Sequence, residues 1–256
     1  MDDVVRLSQE GAEAYVTLPR PDVPPAFPAE LIARLTEIVT TLSTDDSVRV
    51  IIFGGTGQSF CAGADLDWMR RMAGNSYEDN LADAHKARAL FEAIDNSPKT
   101  TIATVHGAAL GGGAGLVAAC DIALATEDTK FGFTEVRLGI IPAVISPFVV
   151  RKIGMGHARA LFVTGSRFNA AEAKEIGLIQ EIAHTQKYLD ELMGQYIGMA
   201  LETAPDAVAR TKALLRSLSD GTADTAAAIA SARASEQGRE GLSAGLEKRK
   251  PAWTNP

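Results

Sequence analysis

Cysteine is scarce in this chain: Cys61 and Cys120 are the two in 256 residues. They form no CxxC pair and show no zinc-ligand spacing, so neither a disulfide framework nor a structural metal is predicted. Basic charge is also in deficit. With 25 Lys and Arg against 32 Asp and Glu, the formal charge is -7, which argues against a surface evolved to neutralise nucleic-acid phosphates. No apolar run approaches the ~18 residues needed to cross a bilayer. Met1-Asp2-Asp3 carries the wrong charge for a signal peptide, so a cytoplasmic protein with neither membrane nor nucleic acid as partner is expected. Nucleotide-phosphate motifs are missing too: Gly54-Gly55-Thr56-Gly57 lacks the Lys-Ser/Thr ending of a P-loop, and no GxGxxG joins a strand to a helix. No GxSxG elbow accompanies His106, which reads as a local hydrogen bonder. Cys61 has no neighbour to lower its pKa and reads as a packing residue.

What the chain has is enough apolar material, 46% of residues against 22% charged, to bury a sizeable core in one domain with an appendage. Val4 to Leu7 and Ala14 to Leu18 read as an opening hairpin about Gln9-Glu10-Gly11. After a proline-rich break, Leu31, Ile32, Leu35, Ile38, Val39 and Leu42 share one helical face. A strand at Val48 to Phe53 follows. A helix from about Tyr77 to Ile94, opened by a Ser76/Asp79 capping box, feeds a second strand at Thr101 to Val105, and Ile122 to Ala125 makes a third. Helices alternating with short, continuously apolar strands indicate crossover units and an α/β core. Beyond Ile182 the pattern is helical only, rich in Ala, Leu, Lys and Arg.

Gly-containing segments fall at the carboxyl ends of the predicted strands, the edge where ligands of α/β folds bind. The triplet Gly111-Gly112-Gly113 immediately precedes the apolar helical run Leu116 to Ala119, so its amides sit at a helix N-terminus that stabilises negative charge. Tight turns and close helix packing explain such glycines equally well. Glu135 stands among small and apolar neighbours in Phe131-Gly132-Phe133-Thr134-Glu135-Val136-Arg137-Leu138-Gly139. Desolvation there raises a carboxylate pKa toward the range of a general acid or base. The plain alternative is a glutamate that starts a helix and faces water or pairs with Arg137.

Four ordered pieces give a more specific signal: Ser59-Phe60-Cys61-Ala62-Gly63-Ala64-Asp65-Leu66, His106-Gly107-Ala108-Ala109-Leu110-Gly111-Gly112-Gly113, Cys120-Asp121-Ile122-Ala123, and Phe131 to Pro142 around Glu135. Together with Thr164-Gly165-Ser166-Arg167-Phe168-Asn169-Ala170 and Glu247-Lys248-Arg249-Lys250-Pro251, the chain resembles the enoyl-CoA hydratase/isomerase (crotonase) superfamily over nearly its whole length. The resemblance implies an α/β crotonase-like spiral of ββα units over 1–195. A C-terminal helical region over 196–256 would then assemble homotrimers or dimers of trimers. It also implies an acyl-CoA thioester substrate, no resident cofactor because coenzyme A arrives as part of that substrate, and no metal.

By the same resemblance, the backbone amides of Ala64 and Gly112 form an oxyanion hole and Glu135 moves the proton. Ala62, Asp65, Leu66, Gly111, Pro142 and Ser146 would contact substrate, and Lys248 and Lys250, from a neighbouring subunit, the coenzyme A phosphates. The chain departs from the usual hydratase pattern at Gly115, where a second glutamate normally stands. A lone glutamate is also the pattern of enoyl-CoA isomerases. Asp65 to Ala73 and Ile141 to Val150, however, look like a bacterial branch of methylglutaconyl-CoA hydratases. Interconversion of 3-hydroxy-3-methylglutaryl-CoA and 3-methylglutaconyl-CoA is therefore expected, with Arg70, Arg71, Lys86 and Ser146 as candidates for the distal carboxylate. An enoyl-CoA isomerase, an isohexenylglutaconyl-CoA hydratase, an acyl-CoA decarboxylase and, outside enzymes, an RNA-binding protein are the alternatives.

Overall fold

The computed structural model describes residues 5–18, 29–63 and 74–254. Strands β1 (Arg6–Glu10) and β2 (Glu13–Leu18) pair antiparallel across a turn that contains Gly11 at φ 57, a backbone conformation glycine adopts without strain. Then β3 (Val50–Gly55), β4 (Thr100–Val105), β6 (Ile122–Thr126) and β9 (Glu181–Ala183) extend the sheet in parallel, giving the order β1-β2-β3-β4-β6-β9. Strand β3 begins two residues later than its apolar run, because Val48 is buried ahead of the ladder that pairs Val50 with Glu13.

The sheet is covered on both faces, as parallel strands require. Ile51 and Phe53 of β3 join one apolar cluster with α1 (Ala29–Thr44), whose buried stripe is Leu31, Ile32, Leu35, Ile38, Val39 and Leu42. Val50 and Ile52 point the other way, against Leu189, Leu192 and Ile197 of α6 (Gln186–Leu201). The alternation is the two-residue period of a pleated strand.

A second, smaller sheet holds β5 (Ala108–Leu110), β7 (Lys130–Gly132) and β8 (Arg167–Asn169) in the order β5-β7-β8. Helices α3 (Gly112–Ala119) and α5 (Ala170–Glu175) pack on it, while α2 (Tyr77–Asn96) packs on α1 and α3, and α4 (Ser146–Thr164) on α3. Helix α2 carries the expected capping box at Ser76 and Asp79, yet it buries only Leu90, Phe91 and Ile94 in its last turns. Its first turns are left to border a cavity.

The chain ends in α7 (Pro205–Ser219), α8 (Thr225–Ala234) and α9 (Glu236–Glu247). Their buried residues are Lys212 and Ala244 alone, so these helices own no core of their own. Polar pins attach α7: Lys212 reaches Asp121 at 2.7 Å and Arg216 donates to the carbonyl of Asp95 at 2.9 Å. Helix α6 runs through the boundary expected after residue 195. Among the described residues no helix is long and apolar enough to cross a membrane, and no cluster of three or more metal-ligating side chains occurs.

Candidate active site

Two loops are pressed together to make the site. Cys61 bridges Ala109 in parallel, its amide donating to Ala108 O at 2.8 Å while the Leu110 amide donates to Cys61 O at 2.9 Å. Glycine permits the approach. A Cβ at Gly113 would lie 2.6 Å from Cys61 Cβ, and one at Gly107 would lie 2.0 Å from Gln58 O. The result sets Gly63 beside Gly111 and Gly112 at one cavity wall. Ala62 lies half-buried at the start of this loop. Ala64, Asp65, Leu66, Arg70 and Arg71 lie outside the described residues.

Gly111, at φ 53, caps α3 after its amide donates to Gly132 O at 2.9 Å. Gly112 is the first residue of the helix, so its N–H has no acceptor within the helix and belongs to the positive end of the dipole. The helix behind it is buried from Gly113 to Ala119. A donor held on so immobile an element needs no reorganisation when charge appears opposite it.

Glu135 opens a short 3-10 turn, Glu135–Leu138, that Gly139 ends in the left-handed region. The turn returns the carboxylate to the Gly111 loop, with Oε1 3.5 Å from where a Gly111 Cβ would stand. Its Oε2 is buried and has no hydrogen-bond partner, unlike a solvated helix-start glutamate. Burial raises the pKa above the ordinary glutamate value, opposed in part by a hydrogen bond from its own backbone amide. A carboxylate so placed is equipped to take up and return a proton.

Gly63, Gly111, Gly112, Glu135 and Pro142 line one cavity of about 260 Å3. Its other walls are largely apolar, from Ala84, Ala87 and Phe91 of α2 to Ile140, Ile141 and Ile145. Two features of it have no counterpart in the sequence reading. The first is Ile145, whose Cγ2 lies 2.3 Å from where a Gly115 Cβ would stand, so the room for a second acid at Gly115 is filled by hydrocarbon. The second is Asn80, whose Oδ1 is buried without a partner and which also lines the cavity. A polar residue in the first turn of a helix carries no signal that separates it from a solvated one.

Among the candidates for a distal carboxylate, Lys86 lines the cavity and pairs with Asp83 at 3.2 Å. Ser146 lies outside that lining, its hydroxyl donating to Ala143 O at 2.8 Å at the start of α4. Lys248 caps α9 in the left-handed conformation at φ 55, and neither it nor Lys250 lines the cavity. His106 hydrogen-bonds the carbonyl of Gly57 at 3.0 Å, and Cys61 is buried, as their local readings predict.

The sequence matches the enoyl-CoA hydratase/isomerase family over residues 8–256. The fold superposes on a crystal structure of an enoyl-CoA hydratase from Shewanella pealeana with a TM-score of 0.93 and 39% identity, covering 98% of this chain and 96% of that one. An enoyl-CoA hydratase structure from Mycobacterium smegmatis gives 0.89 and 32%, covering 98% of each chain. Enoyl-CoA hydratase AKT6-1 of Alternaria alternata is 33% identical over 84% of this chain and 70% of its own length. The buried carboxylate facing a glycine-capped helix start thus sits in a crotonase-like α/β fold, and this chain belongs to the enoyl-CoA hydratase/isomerase family.

Proposed function

We propose that the chain is an acyl-CoA hydratase/dehydratase that interconverts 3-hydroxy-3-methylglutaryl-CoA and 3-methylglutaconyl-CoA with Glu135 as its single acid-base group. The observation that carries this reading is the buried, unpartnered Oε2 of Glu135 beside the amide-bearing start of α3. Asp83, the other carboxylate on the described cavity wall, is half-exposed and tied to Lys86.

In the dehydrating direction Glu135 removes the proton on the carbon next to the thioester carbonyl. The electron pair moves onto the carbonyl oxygen, where the amides of Gly112 and Ala64 stabilise it by about 3 kcal/mol each. When the pair returns to form the carbon–carbon double bond, the β-hydroxyl departs, takes the proton from Glu135 and leaves as water. One carboxyl group serves both events when they occur on the same face of the substrate. Hydration runs the same steps backwards.

In this proposal no resident cofactor takes part. Ala62, Asp65 and Leu66 meet the adenine end of coenzyme A, Gly111 and Pro142 flank the acyl group, and Lys248 and Lys250 of a neighbouring subunit meet the phosphates. Assembly as a homotrimer or a dimer of trimers is supported by the apolar side chains that the C-terminal helices leave exposed, Leu215, Leu242 and Leu246 among them. Lys86 is the cation on the described cavity wall that can face a distal carboxylate.

Incubating the protein with a panel of enoyl-CoA and 3-hydroxyacyl-CoA thioesters, followed by mass analysis, tests the proposal. The glutaconyl and hydroxyglutaryl pair should gain or lose one water fastest. A panel in which only double-bond position changes, with no change in mass, would replace hydration by isomerisation.

A further inference from the structure

Resting on the acyl-CoA reading above, we propose that Asn80 is a specificity-determining residue: its side-chain amide recognises an oxygen substituent on the acyl chain, so the cavity selects hydroxyl- or carboxyl-bearing acyl groups over plain hydrocarbon ones. Among the described residues, two buried side-chain polar atoms lack a hydrogen-bond partner, Asn80 Oδ1 and Glu135 Oε2. Both residues line the same cavity. Buried polar groups in folded proteins almost always have partners, and the exceptions call for an explanation. The unpartnered oxygen of Glu135 is explained by the proton it handles. That of Asn80 is not, and it calls for a partner brought by whatever fills the cavity.

The residue is held firmly. Asn80 sits in the first turn of α2, where its backbone amide donates to Ser76 O at 3.1 Å. The same turn is locked by the capping box, in which Asp79 N donates to Ser76 Oγ at 3.1 Å and Ser76 N to Asp79 Oδ2 at 3.3 Å. Onward along α2 the apolar cavity residues are Ala84, Ala87 and Phe91, small at first and then closed by the phenyl ring. Phe91 Cε1 lies 3.4 Å from where a Gly115 Cβ would stand, so that end of α2 meets α3. Helical rise puts about 16 Å between Asn80 and Phe91, and Asn80 therefore meets a different part of the occupant.

An amide accepts through Oδ1 and donates through Nδ2. A hydroxyl satisfies the first atom directly. A carboxylate is met by the second once the amide turns, and Lys86, on the same helix and wall, adds a positive charge that Asp83 shares. Hydrocarbon satisfies neither atom and leaves a polar group desolvated, which is the origin of strong discrimination against analogues that lack the bonding group.

The test is isothermal titration of the full-length protein with three saturated acyl-CoAs of equal chain length: valeryl-CoA, 5-hydroxyvaleryl-CoA and glutaryl-CoA. None can be hydrated, so the result does not depend on turnover. The wild type should bind at least one oxygen-ended ligand about 10-fold more tightly than valeryl-CoA. Asn80→Leu should erase that preference, with valeryl-CoA bound at least as tightly as by the wild type. Preference for the hydroxyl alone assigns the role to Oδ1, and preference for glutaryl-CoA alone to Nδ2 with Lys86. Equal affinity of the wild type for all three, or a preference that survives Asn80→Leu, overturns the inference. Should the leucine variant fail to fold, Asn80→Asp carries the test: glutaryl-CoA must weaken relative to valeryl-CoA, and an unchanged ratio is equally fatal. The functional reading fails separately, if the wild type binds these ligands yet transforms no enoyl- or 3-hydroxyacyl-CoA.

Discussion

The contact between Gly115 and Ile145 can be tested by a double-mutant cycle. Gly115→Ala places a methyl carbon 2.3 Å from Ile145 Cγ2 and 2.9 Å from Ile145 Cβ. Carbon atoms pack best at about 3.5–4.0 Å, so the isoleucine must retreat by roughly 1 Å or more. It can do so only toward the cavity it lines, being otherwise buried at 4% exposure and joined directly to α4. Overpacking of this kind destabilises by about 1–3 kcal/mol, against which alanine's better helix propensity returns about 1 kcal/mol. A net loss of about 0–2 kcal/mol is expected. Ile145→Ala alone should destabilise by about 2 kcal/mol, because one side of that residue already faces a cavity. In the double variant the added methyl enters space the isoleucine has left, so urea unfolding should show a total at least about 1 kcal/mol smaller than the sum. Strictly additive losses would show that the two residues do not compete for one volume. The reasoning that this site has no room for a second acid would then be refuted.

Lys212→Ala should destabilise by about 1–2 kcal/mol in the same assay, since it removes the buried cation of a pair whose Asp121 side chain is 31% exposed and keeps the bonds from Thr101 N and Oγ1. A loss near zero would mean that α7 is held by other contacts. Glu135 should leave a signature in stability against pH. Its folded-state pKa is raised by burial, so ionising it opposes folding. Relative to Glu135→Gln, the wild type should lose stability as pH rises from the ordinary glutamate value through the raised one, with a constant difference above and none below; melting temperatures of the two proteins across that range decide it. Burial pushes the Cys120 thiol up to about 12, so a disulfide exchange reagent at neutral pH should leave Cys120 unmodified in the native protein and label it on unfolding. Peptide mass mapping reads the outcome.

The parts of the fold legible in the sequence are those in which burial imposes a period. The stripe from Leu31 to Leu42 is the buried face of α1 residue for residue, and the Ser76/Asp79 box marks the start of α2 because capping chemistry is local. The smaller sheet was not legible. Strands β5, β7 and β8 have three residues each, too few to show an alternation, and the bridge from Cys61 to Ala109 of β5 depends on glycines that let the two segments touch. Gly111, Gly112 and Glu135 could be singled out by the helical run after the triplet and the apolar neighbours of the glutamate, and their shared role only through the family resemblance, because Glu135 meets Gly111 across 24 residues of chain. Asn80 and Ile145 could not. Ile145 takes its meaning from Gly115, 30 residues earlier in the chain, and Asn80 from the cavity it shares with Glu135, 55 residues later.

Exchange of the proton next to the thioester carbonyl reports on the central claim without waiting for a complete turnover. In deuterium oxide the wild type should load deuterium onto that carbon of bound 3-hydroxyacyl-CoA. Glu135→Gln should bind the thioester normally and exchange about 10²–10⁴-fold more slowly. Exchange within about 2-fold of the wild-type rate, in a folded variant that binds substrate, would contradict the role of Glu135 as the group that moves the proton.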